Sequence, residues 1–287
     1  LLQSLPGPAK FSKSRSSFGL SVVVAGQQLA ASADSRRSAT VYVAASSQCF
    51  ADLPFAEACQ QLTELEYDRV EIWLDAAGKH LSAAQVAADP EAFLKTYREI
   101  TRLTPVAFDL EQDVPIEVFE GICRVAKFMR VTQITIPSAE LGTPFNEEVD
   151  RLRTRLLVAN QSGLRLSLTT RIGQLTEDPR TAVELCQAIQ GLGLTLDVSH
   201  YLVGPHAGQS HDSVFPYVYH MHLRDTSPTE LQVPVGLGEV DYGRLVAMLR
   251  RYDYQRALSV NILPHLLKGS DRALEMRKLR MLLETLL

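Results

Sequence analysis

Residues 192–200 read Leu192-Gly193-Leu194-Thr195-Leu196-Asp197-Val198-Ser199-His200, and residues 218–225 read Val218-Tyr219-His220-Met221-His222-Leu223-Arg224-Asp225. Each is a short, largely apolar run that ends in ionisable residues. Strands buried in a parallel sheet present side chains at the sheet's carboxyl edge in this way. Five of the seven histidines fall between positions 200 and 222. An Asp and two His delivered by neighbouring strand ends are ligand types for zinc or manganese. His220 and His222 share a face because they are two residues apart. His222 lies nearer the strand's end and is the favoured ligand of the two.

Outward from this stretch, strand and helix alternate from Thr40 to the C-terminus. Strands are predicted at 41–45, 70–74, 104–110, 133–137 and 164–168, then at 192–196 and 218–223, with an eighth at 257–262. Helices are predicted at 54–65, within 90–101, from Pro115 onward, and at 146–160, 178–191, 242–251 and 270–287. Pro115 suits a first helical turn, and Ser162-Gly163 suits a helix stop. The connection 201–216 is rich in Gly, His and Pro and has room for a short helix, a lid or a subunit contact, so a homo-oligomer is compatible with it. Strands recurring at roughly thirty-residue spacing predict an α/β fold, a (β/α)8 TIM barrel forming a single domain over 40–287. The fallback is an open doubly wound sheet, but residues 41–50 hold no GxGxxG turn after the first strand.

The chain has 287 residues, 46% of them hydrophobic, enough for one large core. Its net charge of −4 lacks the basic footprint of a nucleic-acid binder. No apolar run approaches the ~18 residues of a membrane helix. Cys49, Cys59, Cys123 and Cys186 form no CxxC pair and are expected to be buried free thiols. Residues 1–39 stand apart from the barrel. Lys10, Lys13 and Arg15 precede an apolar stretch at 18–25 and the small residues Ala31 and Ala33, a pattern of export signals. Gly19 and Ser21 break that apolar stretch, so a disordered leader is the competing reading. Exported or cytoplasmic location follows from which of the two holds.

In a barrel the active site lies at the carboxyl ends of the strands. There the sequence puts Trp73, Asp75, Asp109, Glu111, Glu140, Thr169, Arg171, Asp197, His200, His222 and Asn261. Strand ends are often polar because they meet solvent, and Asp75, Asp109 and Glu111 are read that way.

Asp197-Val-Ser-His200, His222-Leu-Arg-Asp225, the turn Gly236-Leu-Gly238-Glu239 leading to Asp241-Tyr242, and Leu258-Ser-Val260 together resemble the xylose isomerase-like TIM barrels. That superfamily includes sugar phosphate isomerases and epimerases and the endonuclease-IV-like apurinic endonucleases. Val70-Glu71-Ile72 fits its second strand. The resemblance implies one divalent metal (Mn, Zn, Co or Mg) held by a Glu from strand five, an Asp from strand six, a His from strand seven and a Glu from strand eight. Carried over, Asp197 and His222 are metal ligands, with His200 a contact to substrate or to a second metal. Thr169 and Asn261 stand where the two glutamates are expected. Neither ionises near neutral pH, so the proton shuttle that interconverts sugars is missing and the metal site is weakened. Glu140 and Glu111 are candidate replacement carboxylates.

The implied ligand is a small carbohydrate, contacted by His200, Trp73, Thr169, Arg171 and Asn261. Three functions follow: an isomerase or epimerase with an altered metal site, a catalytically degenerate barrel that binds a sugar, or a scaffold. The endonuclease branch is disfavoured, since Gln232-Val-Pro234 stands where an Asp-x-His is expected. Residues 235–241 are expected to form a tight loop closing the mouth, with Asp241 as N-cap of the next helix.

Overall fold

Eight parallel strands close on themselves in sequence order: β1 (Tyr42–Ser46), β2 (Arg69–Leu74), β3 (Thr104–Leu110), β4 (Gln133–Pro137), β5 (Arg165–Thr169), β6 (Leu192–Asp197), β7 (Val218–Leu223) and β8 (Ala257–Val260). Each pairs with the next, and β8 pairs with β1 from Tyr42 opposite Ala257 to Ala45 opposite Val260. The structure, a computed structural model, describes residues 40–75 and 78–287. The leader read at 1–39 lies outside the described residues. Around the barrel run α1 (Phe55–Glu64), α2 (Ala83–Ala88), α3 (Pro90–Ile100), α4 (Ile116–Met129), α5 (Phe145–Gln161), α6 (Pro179–Ala188), α7 (Ser199–Val203), α8 (Tyr242–Arg251) and α9 (Arg272–Leu286). The expected (β/α)8 barrel is the fold observed.

Two details differ from expectation. Helix α2 is an extra turn before α3, packed so closely on α4 that a Cβ on Gly121 would lie 2.5 Å from the Cβ of Ala87. Strand eight ends at Val260, leaving Asn261 just beyond the ladder, where its amide still bonds Leu223 O at 2.9 Å.

Alternation along the strands explains the rest. Ile134, Ile136, Leu166, Leu168, Leu194 and Leu196 are fully buried and join the helices' apolar faces in the main core. The residues between them are polar and meet inside the barrel. Thr135 Oγ1 lies 2.8 Å from Thr195 Oγ1, and Ser167 Oγ lies 2.6 Å from the same atom. Thr135 and Thr195 belong to non-adjacent strands, so this contact runs through the barrel's interior. The runs that look apolar in sequence are therefore two-faced: aliphatic toward the helices, polar toward the axis. Barrel interiors are more often filled with branched aliphatic side chains. Here the interior is a hydrogen-bonded lattice, and charge can be held in it.

Helix starts follow their caps. Asp89, Asp178, Asp241 and Asp271 each accept a backbone N–H in the first turn of α3, α6, α8 and α9. The four cysteines are free and buried, and burial pushes each thiol up to about 12. Among the described residues no helix is long and apolar enough to cross a membrane.

Candidate functional site

Inside the barrel, Glu71 is an acidic residue in an otherwise apolar stretch of β2, Val70-Glu71-Ile72-Trp73-Leu74. Across the axis β7 turns His220 and His222 toward it. Glu71 Oε2 lies 2.6 Å from His220 Nε2, and Glu71 Oε1 lies 2.6 Å from His222 Nε2. The two imidazoles meet edge to face with centroids 5.5 Å apart. All three side chains are buried. Burial alone would push the Glu71 carboxyl up, yet His222 and His220 outweigh it and hold that carboxyl well below the usual range. Burial likewise pushes His222 down, but the Glu71 carboxylate overcomes this and raises it to about 9. At neutral pH the cluster is a carboxylate bound to an imidazolium. Its ligand atoms all lie within 4.8 Å of one another, so this Glu/His/His group could hold a metal ion.

Above it, at the carboxyl ends of the strands, is a cavity of about 430 Å³. Trp73, Asp109, Glu111, Thr169, Arg171, Asp197, His200, His222, Arg224 and Asn261 all line it. Of the residues picked out from sequence, Glu140 does not line it. That residue is exposed and bridges Gln174, away from the cavity lining, so it is not placed to replace a mouth carboxylate. Glu111 is in place but engaged. It accepts from Trp73 Nε1 at 3.0 Å, Gln48 Nε2 at 3.1 Å and Arg171 Nη2 at 2.6 Å. Asn261 joins the same ring by donating from Nδ2 to Gln48 Oε1 at 3.0 Å.

Asp197 and His222 stand opposite each other in the β6–β7 register, but their partners differ from those expected. Asp197 Oδ2 forms an ion pair with Arg224 Nη2 at 2.6 Å, and its Oδ1 accepts from the Ser199 amide at 3.1 Å and from the Ser199 hydroxyl. Burial pushes the Asp197 carboxyl up, and Arg224, His200 and Ser199 together outweigh that and hold it down. His200 lies close by, its Nε2 3.7 Å from Asp197 Oδ2. Its Nδ1 accepts the Ile172 amide at 3.3 Å, which places the proton of the neutral ring on Nε2. Burial drives His200 down to about 4, so neutral is its form at pH 7. Asp109, read from sequence as solvent-facing, is instead buried, and burial pushes its carboxyl up to about 7.

The divalent ion implied by the resemblance does not fit the residues at this mouth. Thr169 and Asn261 offer no anionic oxygen, and Asp197 is already satisfied by a guanidinium and a serine. The Nε2 of His222 belongs to Glu71. Arg224 is always charged, so a dication beside Asp197 would sit against a fixed positive charge. Asp225 takes no part in the mouth chemistry. Its carboxylate anchors a neighbouring loop through the amides of Thr226 at 3.0 Å, Gly236 at 2.7 Å and Gly238 at 3.1 Å. A Cβ on Gly238 would fall 2.0 Å from Asp225 Oδ1, so only glycine fits there. The mouth cavity is not lined by residues 235–241, which corrects their expected role as its cover.

Sequence reasoning missed Glu71 and Arg224. The signals were present: a lone carboxylate within an apolar strand, and an arginine two residues past His222 on the same face.

The family described as xylose isomerase-like TIM barrel matches residues 59–282, and the chain belongs to it. No curated protein matches the sequence at a significant level. Among solved structures, a xylose isomerase-like TIM barrel protein from Mycobacterium smegmatis in complex with magnesium is 16% identical, with a TM-score of 0.68, covering 85% of this chain and 96% of its own. The probable 3-DHS dehydratase AsbF from Bacillus anthracis is 18% identical, with a TM-score of 0.64 and coverage of 85% and 98%. A D-allulose 3-epimerase from Methylomonas sp. is 12% identical, with a TM-score of 0.63 and coverage of 86% and 98%. At these identities the likeness establishes the fold.

Proposed function

We propose that this xylose isomerase-like barrel binds a small carbohydrate or a closely related polyhydroxylated molecule in its mouth cavity, without the two-glutamate, metal-based proton shuttle of the sugar isomerases and epimerases. The observation that carries this reading is the Asp197–Arg224 pair at 2.6 Å, buried on both sides, beside Thr169 and Asn261. The cavity's size suits a small ligand, and its wall mixes an indole, two guanidiniums, amides and imidazoles with the carboxylates of Asp75, Asp109, Glu111 and Asp197. Such a wall offers donors, acceptors and a stacking face to hydroxyl-bearing molecules. Solved relatives include structures of D-allulose 3-epimerase with D-allulose and of D-psicose 3-epimerase with D-tagatose, which supports a sugar-like ligand class.

One observation favours a catalytic variant of the same reading. Asp109 faces this cavity with its carboxyl raised to about 7 by burial. A carboxyl poised near neutral pH is suited to give or take a proton. Binding and turnover separate in one experiment. Candidate ketoses, aldoses and sugar acids are titrated by calorimetry, then incubated in deuterium oxide with and without added Mn, Zn, Co or Mg. Saturable binding with no exchange at carbon is the expected result. Exchange that survives chelation and is lost in Asp109→Asn establishes the catalytic variant, and metal-dependent exchange contradicts the proposal.

A further inference from the structure

Among the described residues, Glu71, His220 and His222 are the one group of three metal-ligating side chains whose donor atoms all lie within 4.8 Å of one another. Both histidines of β7 aim Nε2 at a single carboxylate on β2, each at 2.6 Å from a different oxygen. Barrel interiors are more often filled with branched aliphatic side chains, so two inward positions of one strand given to imidazole call for a reason. An ion pair accounts for only one of them, because one carboxylate balances one imidazolium. The second ring adds nothing to that charge balance, but it completes a His2Glu donor set, which is a zinc set. The cluster also lies between two cavities. His222 lines the mouth cavity of about 430 Å³. His220 lines one of about 340 Å³ together with Tyr42, Gln133, Arg165 and Ala257, the first residues of β1, β4, β5 and β8. An ion therefore has a route to the cluster from either end of the barrel.

We propose that Glu71, His220 and His222 bind a divalent transition ion of the zinc class inside the barrel, as a structural cross-link between β2 and β7. Each carboxylate oxygen already faces its own ring, so Glu71 binds through both oxygens and the two Nε2 atoms complete four donors. An oxygen and a nitrogen each bonded to one ion at ~2 Å sit about 3 Å apart. The two 2.6 Å contacts therefore open by a few tenths of an ångström, which rotation of the Glu71 carboxylate supplies. Two imidazoles in the set favour zinc over magnesium, which prefers six oxygens. Asp109 is buried in the mouth wall and interacts electrostatically with both His222 and Glu71. With neutral imidazoles, its carboxylate and that of Glu71 together balance a dication. No atom of Asp197 or Arg224 is used. The site is thus separate from the mouth chemistry, and it goes beyond the carbohydrate reading without resting on it.

The test is a zinc titration of the full chain, stripped with EDTA and dialysed, against a chromophoric chelator, with magnesium as the control ion. One zinc per chain is expected, bound at least about a hundredfold tighter than magnesium. The melting temperature should be higher in zinc than in EDTA, because the ion binds the folded chain. Glu71→Gln and, separately, His220→Asn should each weaken zinc by about a hundredfold, since a direct ligand is worth at least as much as an outer-shell partner. Should both variants fold poorly by circular dichroism, the unmodified chain decides. A crystal grown with zinc is expected to show an anomalous peak at the zinc edge within about 2.5 Å of the donor atoms of Glu71, His220 and His222. Zinc binding no tighter than magnesium, zinc binding unchanged in two well-folded variants, or a peak at Asp197, a cysteine or a surface histidine instead would overturn the inference. The carbohydrate reading would stand in each case, since it uses no ion.

Discussion

Two buried ionic clusters lie one above the other on this barrel's axis, and they differ in one respect. In the lower, Glu71 meets His220 and His222 with both carboxylate oxygens engaged at 2.6 Å. In the upper, Asp197 meets Arg224 at the same distance, yet Arg224 Nη1 and the neighbouring Asn261 Oδ1 are unpartnered. The lower cluster ties β2 to β7 across the barrel and has the donor set of a metal site, whereas the upper one is a pair in the wall of the mouth cavity. Burial is common to both, so burial alone does not mark the functional one.

The comparison breaks most visibly at Glu71. Replacing it with Ala leaves two buried imidazoles without their shared acceptor and should cost roughly 3–5 kcal/mol, the usual penalty for removing one partner of a buried pair. Urea unfolding at neutral pH measures it. At the upper cluster Arg224→Lys retains a cation for Asp197 and gives up one bond to the Asn261 carbonyl. Its expected cost is smaller, roughly 1–3 kcal/mol. Equal costs would mean the two clusters are structural to the same degree.

Alkaline pH sharpens the contrast. His222 is raised from 6.5 to about 9 in the folded chain. The folded state therefore holds a proton that the unfolded state releases between those values. Stability from this pair is fully present below about pH 6.5 and is lost as pH rises through about 9. Asp109, raised from 3.8 to about 7, adds loss of the same sign across its own lower window. Melting temperature should fall from pH 6.5 to 9, and the fall should flatten in Glu71→Gln. A slope unchanged by that substitution would assign the alkaline loss elsewhere.

The barrel itself was legible because strand–helix alternation is written at every step from Thr40 onward, and chain order is strand order in a closed barrel. Strand ends at Asp197, His222 and Thr169 were legible for the same reason, whereas the expectation of glutamates at positions 169 and 261 came from the family resemblance alone. What the chain does not spell out is who faces whom across the axis. Glu71 and His222 are 151 residues apart and share no local pattern. Their meeting depends on the barrel's closure and on the stagger of its strands. Asp109 was misread because a carboxylate at a strand end looks the same whether its mouth is open water or a lined cavity. Arg224 is not legible as a site residue because its partner, Asp197, lies on the neighbouring strand, and an arginine just past a strand end looks like an ordinary solvated charge.

The smallest effect concerns neither cluster and serves as a control. Asp241 Oδ1 accepts the Arg244 amide at 2.8 Å at the start of α8. Asp241→Ala should cost roughly 1 kcal/mol through the lost cap, with ligand binding and alkaline slope both unchanged. A change in either would tie α8 to the axis.

The most direct test of a mouth anchored by arginine is a crystal of the full chain soaked in manganese, with anomalous data collected at the manganese edge. The expected map has no peak between Asp197 and His222, and Arg224 still bonded to Asp197. A manganese peak at ligand distance from Asp197, with the guanidinium displaced, would contradict the account.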